Sequence, residues 1–338
     1  MPALSNSVQV TTDFGIPALS AVLDPVELCR HLGFFSFEPW RWGELRDAGV
    51  EVLRSHSGSR CTMEITLRTT SGAHALIAKA FASDGLDIYQ AMKRISRAGF
   101  GPEAEFSIPQ ALDFLPALHL LLQEKVEGPR AEELFLTGQE RDCTFAAECS
   151  ARWLARFHAV APKAGPVFNL ASYMISLERW SSRIAEMFVP LAGKATQLFK
   201  ELERAAGGLG PADMCAGHGD FKPAHVIIAN GRTATCDWDR FDVADPCRDV
   251  ARFVVATERL ALRHFGSVRA LDACAKSFIK TYTALGRPGV ERRLPFHLAA
   301  ICVQFAKYGI SQSVPGWRNE IEALLDEGLR ILEEHHNA

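Results

Sequence analysis

The residues whose types and spacing could do chemistry lie in one stretch, CAGHGDFKPAHVIIANGRTATCDWDRF, residues 215–241. His218, Gly219 and Asp220 stand in a polar loop ahead of a short apolar run, and Asp237 stands where a second short run ends. Two carboxylates set apart in this way suit phosphoryl transfer. One orients an attacking hydroxyl and takes its proton, and the other holds a divalent cation against nucleotide phosphates. His225 adds an imidazole to the same loop, and Lys222 places a cation two residues past Asp220, where it could neutralise charge on a transferring phosphoryl group. Taken alone, His218-Gly219-Asp220 also reads as a turn closed by an Asx-type hydrogen bond, and Lys222 as a solvated loop lysine.

The elements that must position these residues follow from periodicity. Residues 226–229 (VIIA) and 233–238 (TATCDW), separated by Asn230-Gly231, predict a β-hairpin inside an otherwise helical half. Upstream, DPVELCRHL (24–32) predicts a helix capped by Asp24, with Pro25 at its first position and Glu27 placed to complete a capping box. VEVLRSHS (50–57), CTMEITLRT (61–69) and HALIAKAF (74–81) alternate apolar and polar residues and predict a three-stranded antiparallel meander. Residues 86–98 change to helical spacing, and Gly99 ends them. Two strand-like runs, SIPQALDF and ALHLLLQEKV, come next, and from about residue 131 the periodicity is helical. GFGPEA (99–104) has the glycine spacing of a dinucleotide loop but follows a helix and contains Pro102, which excludes that reading.

Composition narrows the partners. The 338 residues carry a net charge of −3 without blocks of one sign, so neither a nucleic-acid footprint nor an anionic-membrane patch is expected. The N-terminus lacks a basic stretch followed by an apolar run, and no window reaches the length of a membrane span, so the expected location is cytoplasmic. The nine cysteines are scattered, odd in number and without a CxxC pair, so they are expected to be reduced thiols.

HGDFKPAHVII followed by CDWDRFDVADPCRDVARF resembles the aminoglycoside phosphotransferase and choline kinase group, whose members carry HGDxxxxN, an IDW or DFD segment, and GDPxxDLA. ARWLARFHA (151–159) and LLQEKVEG (121–128) extend the likeness upstream. The resemblance implies an α+β, bilobal protein-kinase-like fold: an N-terminal helical extension over 1–45, a nucleotide-binding sheet with one helix over 46–122, and a hinge with a helical lobe over 123–338. It implies ATP with Mg2+ as cofactor, Asp220 as catalytic base, Asp237 as the principal metal ligand, and Asp249 as a buried organiser of the loop. By order of elements, Lys79 is the lysine that grips the α and β phosphates. The loop Ser57-Gly58-Ser59 offers backbone N–H groups to phosphate and Arg60 a further cation, although a plain hairpin turn is equally consistent with it. The backbone near Glu124 and Val126 would meet the adenine edge.

Two departures qualify the likeness. His225 replaces the Asn of the loop, so a second metal position would take an imidazole nitrogen where magnesium prefers oxygen, and manganese is expected to support activity. No Glu in 86–98 is available to Lys79, which leaves Asp87 and Gln90. The chain from 123 onward balances its charges, which gives no support to a polycationic acceptor, and the aromatic segment 165–189 suggests a hydroxyl on a bulky, partly apolar body. Ordinary helix packing explains those aromatics as well. A metabolite kinase, an antibiotic-inactivating kinase of the aminoglycoside or macrolide type, and a nucleotide-binding pseudokinase acting through partners all fit the motifs.

Overall fold

The computed structural model describes residues 15–229, 231–286, 289–312 and 316–336. The chain divides into two compact units, residues 1–103 with 108–126, and residues 104–107 with 127–338.

The first unit opens with α1 (Leu19–Leu23) and α2 (Pro25–Leu32). The Asp24 carboxylate accepts from the N–H groups of Val26 and Glu27 at 2.9 and 3.1 Å, so the predicted cap forms. The Glu27 carboxylate turns instead to Arg30, and the box is not closed. Then come β1 (Leu45–His56), β2 (Arg60–Thr69), β3 (Gly72–Phe81) and α3 (Leu86–Ile95). β4 (Phe106–Ser107) belongs with the second unit, and β5 (Ala111–Leu115) and β6 (Leu120–Glu124) complete the sheet, whose order is β1-β2-β3-β6-β5, antiparallel throughout.

Alternation fixes the two faces of this sheet. Cys61, Met63, Ile65 and Leu67 of β2 and Leu76, Ala78 and Ala80 of β3 pack against Leu19, Val22, Leu28, Leu32 and Phe35 from the N-terminal helices and the turn after them. The opposite face carries Arg60, Thr62 and Glu64 beside Phe81, Lys79 and Ile77.

In the second unit the helices are α4 (Ala131–Phe135), α5 (Glu140–Val160), α6 (Leu170–Met187) and α7 (Ala192–Gly207). A short strand region, β7 (Cys215–Gly217), β8 (Val226–Ala229), β9 (Arg232–Thr235) and β10 (Asp242–Ala244), interrupts them before α8 (Cys247–Phe265), α9 (Asp272–Leu285), α10 (Val290–Gln312) and α11 (Trp317–His336). The predicted hairpin is β8–β9; Asn230 of its turn lies outside the described residues. β4 pairs with β9 in parallel, and β7 pairs with β10. Neither pairing was expected, because runs of two or three residues carry no readable period.

Aromatic packing joins strands to helices. Trp153 of α5 stacks on Phe157 and Phe221 and donates its indole N–H to the Ser107 carbonyl at 2.9 Å. Phe221 stacks in turn on Phe253, and Phe253 on Phe278 at 3.9 Å between centroids. One expectation about the cysteines is corrected here. Cys143 of α5 and Cys274 of α9 are joined in a disulfide, with Cα atoms 5.3 Å apart, while the other seven form no disulfide. The pair is 131 residues apart in sequence, and only the packing of α5 on α9 brings it together. Among the described residues no helix is long and apolar enough to cross a membrane.

Glu258 of α8 is 6% exposed, and its Oε2 has no hydrogen-bond partner. Burial and then the charge of Glu327 push its carboxyl up to about 8, against the pull of Arg269 and Arg330. A carboxyl that binds its proton more tightly folded than unfolded contributes stability that is complete below the unfolded value and is lost as pH rises through the folded one. The fold is therefore expected to weaken as pH rises from the ordinary glutamate range to about 8, by up to on the order of 1.4 kcal/mol per pH unit, and to level off above it. Glu258→Gln should flatten that slope and raise Tm at pH 9 more than at pH 6, as read by thermal denaturation at both values. Equal shifts at both would contradict the assignment.

Candidate active site

The loop between β7 and β8 is held from beneath by the first turn of α8. Asp249, 3% exposed, accepts from the backbone N–H of His218 at 2.7 Å and of Gly219 at 2.9 Å. His158 of α5 lies 3.3 Å from the same carboxylate and is itself 2.8 Å from the Tyr282 hydroxyl. Burial raises the Asp249 carboxyl, but these donors outweigh it and the group is held below its ordinary value.

His218 is fully buried and faces two backbone groups. Its Nε2 lies 3.0 Å from the Cys236 carbonyl, and its Nδ1 accepts from the Asp220 N–H at 3.3 Å. This pattern requires the neutral Nε2–H tautomer, which burial also favours by lowering the imidazole pKa. His218 thus ties the loop to the end of β9.

The Asp220 carboxylate is 8% exposed as a residue, and its two oxygens have different partners. Oδ1 accepts from Arg252 of α8 through both Nε and Nη2, and Oδ2 lies 3.1 Å from the Lys222 ammonium. Burial pushes this carboxyl up, yet Arg252, then Lys222 and His225, bring it well below the usual carboxylate range. Arg252 itself is 6% exposed, reaches Gln304 at 3.0 Å and sits over the Phe305 ring.

Asp237 follows β9 with φ 71°, in the left-handed region that Asp tolerates better than most residues. The next side chain, Trp238, is 1% exposed, packs on His218 at 4.6 Å and donates to the Thr235 carbonyl. His225 Nδ1 lies 3.0 Å from the Asp220 carbonyl, which can only accept, so the ring proton sits there. Its Nε2 then presents a lone pair to Asp237 Oδ2 at 3.2 Å. Burial, followed by the charge of Lys222, pushes the imidazole down to about 3, so no proton relieves that contact near neutrality. Two acceptors facing each other need a cation between them, and Asp220, His225 and Asp237 offer ligand atoms all within 4.8 Å of one another. The residues fit a divalent ion, with the nitrogen donor shifting preference from magnesium toward manganese.

His218, Asp220, Lys222, His225 and Asp237 are thus brought together within the second unit. In the first unit, Lys79 is 4% exposed and its Cα partners are Thr62 and Leu121. Arg60 lies on the same sheet face one step along, opposite Phe81. Ser57, Gly58 and Ser59 form the β1–β2 turn, closed by the Ser59 N–H donating to the His56 carbonyl at 3.0 Å. Glu124 ends β6, with its N–H donated to the Gln110 carbonyl, and Val126 lies two residues past the strand. Asp87 and Gln90 are exposed, and the Asp87 carboxylate accepts from the Ile88 N–H.

Arg252 was the functional residue hardest to see in the sequence. It stands three residues after Asp249 on one helix, hence on the same face, and that spacing is the signal that could have found it.

An antiparallel sheet unit followed by a helical unit that carries the Asp220 loop gives the chain a kinase-like fold. The chain belongs to the phosphotransferase enzyme family, whose sequence profile matches residues 69–290. No functionally curated protein matches it by sequence. Solved structures are similar in fold. A choline/ethanolamine kinase family protein from Mesorhizobium loti superposes with TM-score 0.55 at 16% identity, over 84% of this chain and 88% of that one. A thermostable aminoglycoside phosphotransferase APH(4)-Ia, in ternary complex with ADP and hygromycin B, gives 0.59 at 15%, over 89% and 98%. The macrolide 2'-phosphotransferase MphH from Brachybacterium faecium gives 0.51 at 17%, over 82% and 91%.

Proposed function

We propose that the protein transfers the γ-phosphoryl group of ATP to a hydroxyl of a small molecule, with Asp220 as base. The observation that carries this reading is the Asp220 carboxylate, ionised by Arg252 and presenting Oδ2 to the site. The acceptor O–H gives its proton to Oδ2 while its oxygen forms the new bond to the γ-phosphorus. The bond from that phosphorus to the bridging oxygen breaks, and ADP leaves. Lys222, displaced from Oδ2 by the acceptor, is placed to offset charge on the moving phosphoryl oxygens. Asp237, with His225, holds the divalent cation, which when bound supplies charge neutralisation at the nucleotide phosphates.

Lys79 and Arg60 are assigned to the α and β phosphates, and the N–H groups of Ser57 and Gly58 to covering them, the Ser59 N–H being engaged by the His56 carbonyl. With the Glu124 N–H engaged, the groups assigned to the adenine edge are the Glu124 carbonyl and the Val126 N–H. Neighbours solved with ADP and others solved with GDP support a nucleoside triphosphate as donor.

Thermal denaturation tests this directly. ATP with Mg2+ or Mn2+ at a hundred times Kd should stabilise the wild type by about 2.7 kcal/mol, and Asp237→Ala should lose the metal-dependent part. No shift at millimolar ATP in the wild type would reject the assignment, and a metal-independent shift with no turnover would favour a pseudokinase.

A further inference from the structure

The surroundings of Asp220 carry information about the acceptor that the motifs do not. The alcohol must reach Asp220 Oδ2, so the rest of the acceptor extends toward Arg240, which feels the charge of Asp220, and toward the side chains that Arg240 leads to in the second unit. Tyr308 of α10 is half-buried, and its hydroxyl is hydrogen-bonded with Arg240. Lys307 places its ammonium 4.9 Å from the Tyr308 ring centroid and 5.8 Å from that of Trp180 on α6. Tyr173, also on α6, lies edge-on to Trp180 at 6.2 Å. Trp180, Tyr173 and Tyr308 are all partly exposed, unlike Trp153 and Trp238, which are sealed in the core.

Two cations here lack a carboxylate of their own. Of the nearby arginines, Arg252 is matched by Asp220 and Arg248 by Asp242. Among the described residues, neither Lys307 nor Arg240 makes an ion pair with a carboxylate, although Arg240 also feels the charges of Asp220 and Asp237. The same cations act on the Tyr308 phenol. Burial alone would raise its pKa, yet Arg240, Arg252 and Lys307 together bring it below its ordinary value. A positive, aromatic-walled surface attracts anions and repels ammonium groups.

We propose that the acceptor is itself an anion: an alcohol bearing a carboxylate or phosphate held by Lys307 and Arg240, with a flat apolar body against Trp180 and Tyr308. This rests on the reading of Asp220 as the base that receives the alcohol. It sets the chain apart in substrate charge from polycationic drug acceptors, in spite of the shared fold.

Three alcohols of one shape test it: para-hydroxymethyl benzoate, benzyl alcohol and para-aminomethyl benzyl alcohol. Binding is measured by titration calorimetry without nucleotide, with para-hydroxymethyl phenyl phosphate added to separate carboxylate from phosphate recognition. The anionic members should bind at least about tenfold more tightly than the amine, a difference of about 1.4 kcal/mol. Lys307→Gln should cut that preference, and Lys307→Glu combined with Arg240→Glu should reverse it. Since Arg240 is exposed, Arg240→Glu alone serves should the double variant fail to fold. An amine that binds as well as the benzoate, no binding by any member, or a preference that survives all variants would overturn the proposal. ATP-dependent stabilisation, measured on the same samples, keeps the two readings apart. ATP binding without anion preference removes only the acceptor assignment, and anion preference without ATP binding removes only the phosphotransfer.

Discussion

Asp220→Asn is expected to lower phosphotransfer, read as ADP release with either divalent metal, by about 10³-fold, the middle of the range for a lost general base. The side chain keeps its shape but can no longer take the acceptor proton. It also leaves Arg252, which is 6% exposed, without a neutralising charge, its guanidinium keeping only neutral partners in the amide oxygen, Gln304 and the Phe305 ring. Breaking one side of a buried pair costs roughly 3–5 kcal/mol, because the remaining charge is left desolvated. Asp220→Asn should therefore lose stability as well as rate. The two effects separate in the double variant Asp220→Asn with Arg252→Met. Removing the orphaned cation should restore much of the stability to denaturant unfolding and none of the rate. Arg252→Met alone leaves the carboxylate buried against Lys222 only, and its turnover should fall by a smaller factor than that of Asp220→Asn. Full activity in Asp220→Asn would remove Asp220 from the mechanism.

Much of this arrangement was legible because it is local. The meander of β1 to β3, the cap at Asp24, the end of α3 near Gly99 and the β8–β9 hairpin each follow from a period or a turn signal within a dozen residues. The kinase-like fold was readable from the loop at 218–225 and the DP-x-x-D segment together, since Asp249 closes on the loop's own N–H groups. The rest depended on contacts distant in sequence. Lys307 on Trp180, the disulfide between Cys143 and Cys274, and the pairing of β4 with β9 all join segments that no spacing relates, and Arg252 was within reach only through its spacing from Asp249. The carboxyl of Glu258 shows the same limit, since only the packing of α8 near Glu327 distinguishes it from a solvated helix glutamate.

Gly219→Ala should be the most damaging single methyl in the protein. Gly219 has φ +74°, and a Cβ built there would lie 1.9 Å from the Arg240 carbonyl oxygen and 2.8 Å from its carbon. The obstacle is backbone, so no rotamer change relieves it, and the loop or the segment after Asp237 must move. The left-handed conformation alone costs an alanine about 1 kcal/mol. The displacement adds to that through the two hydrogen bonds to Asp249, and a total above about 4 kcal/mol is expected. Gly231→Ala is the control, because Gly231 shares the conformation, at φ +78°, and meets nothing within 4 Å. It should cost only about 1 kcal/mol and leave turnover unchanged. In Gly219→Ala, a shift of Asp220 by about 1 Å should cut turnover about 10²-fold beyond any loss of folded protein. Denaturant unfolding and ADP release per folded molecule, measured on both variants, decide the matter. Equal stability in the two would mean that the Arg240 carbonyl does not confine this loop, and equal turnover that its position does not set the chemistry.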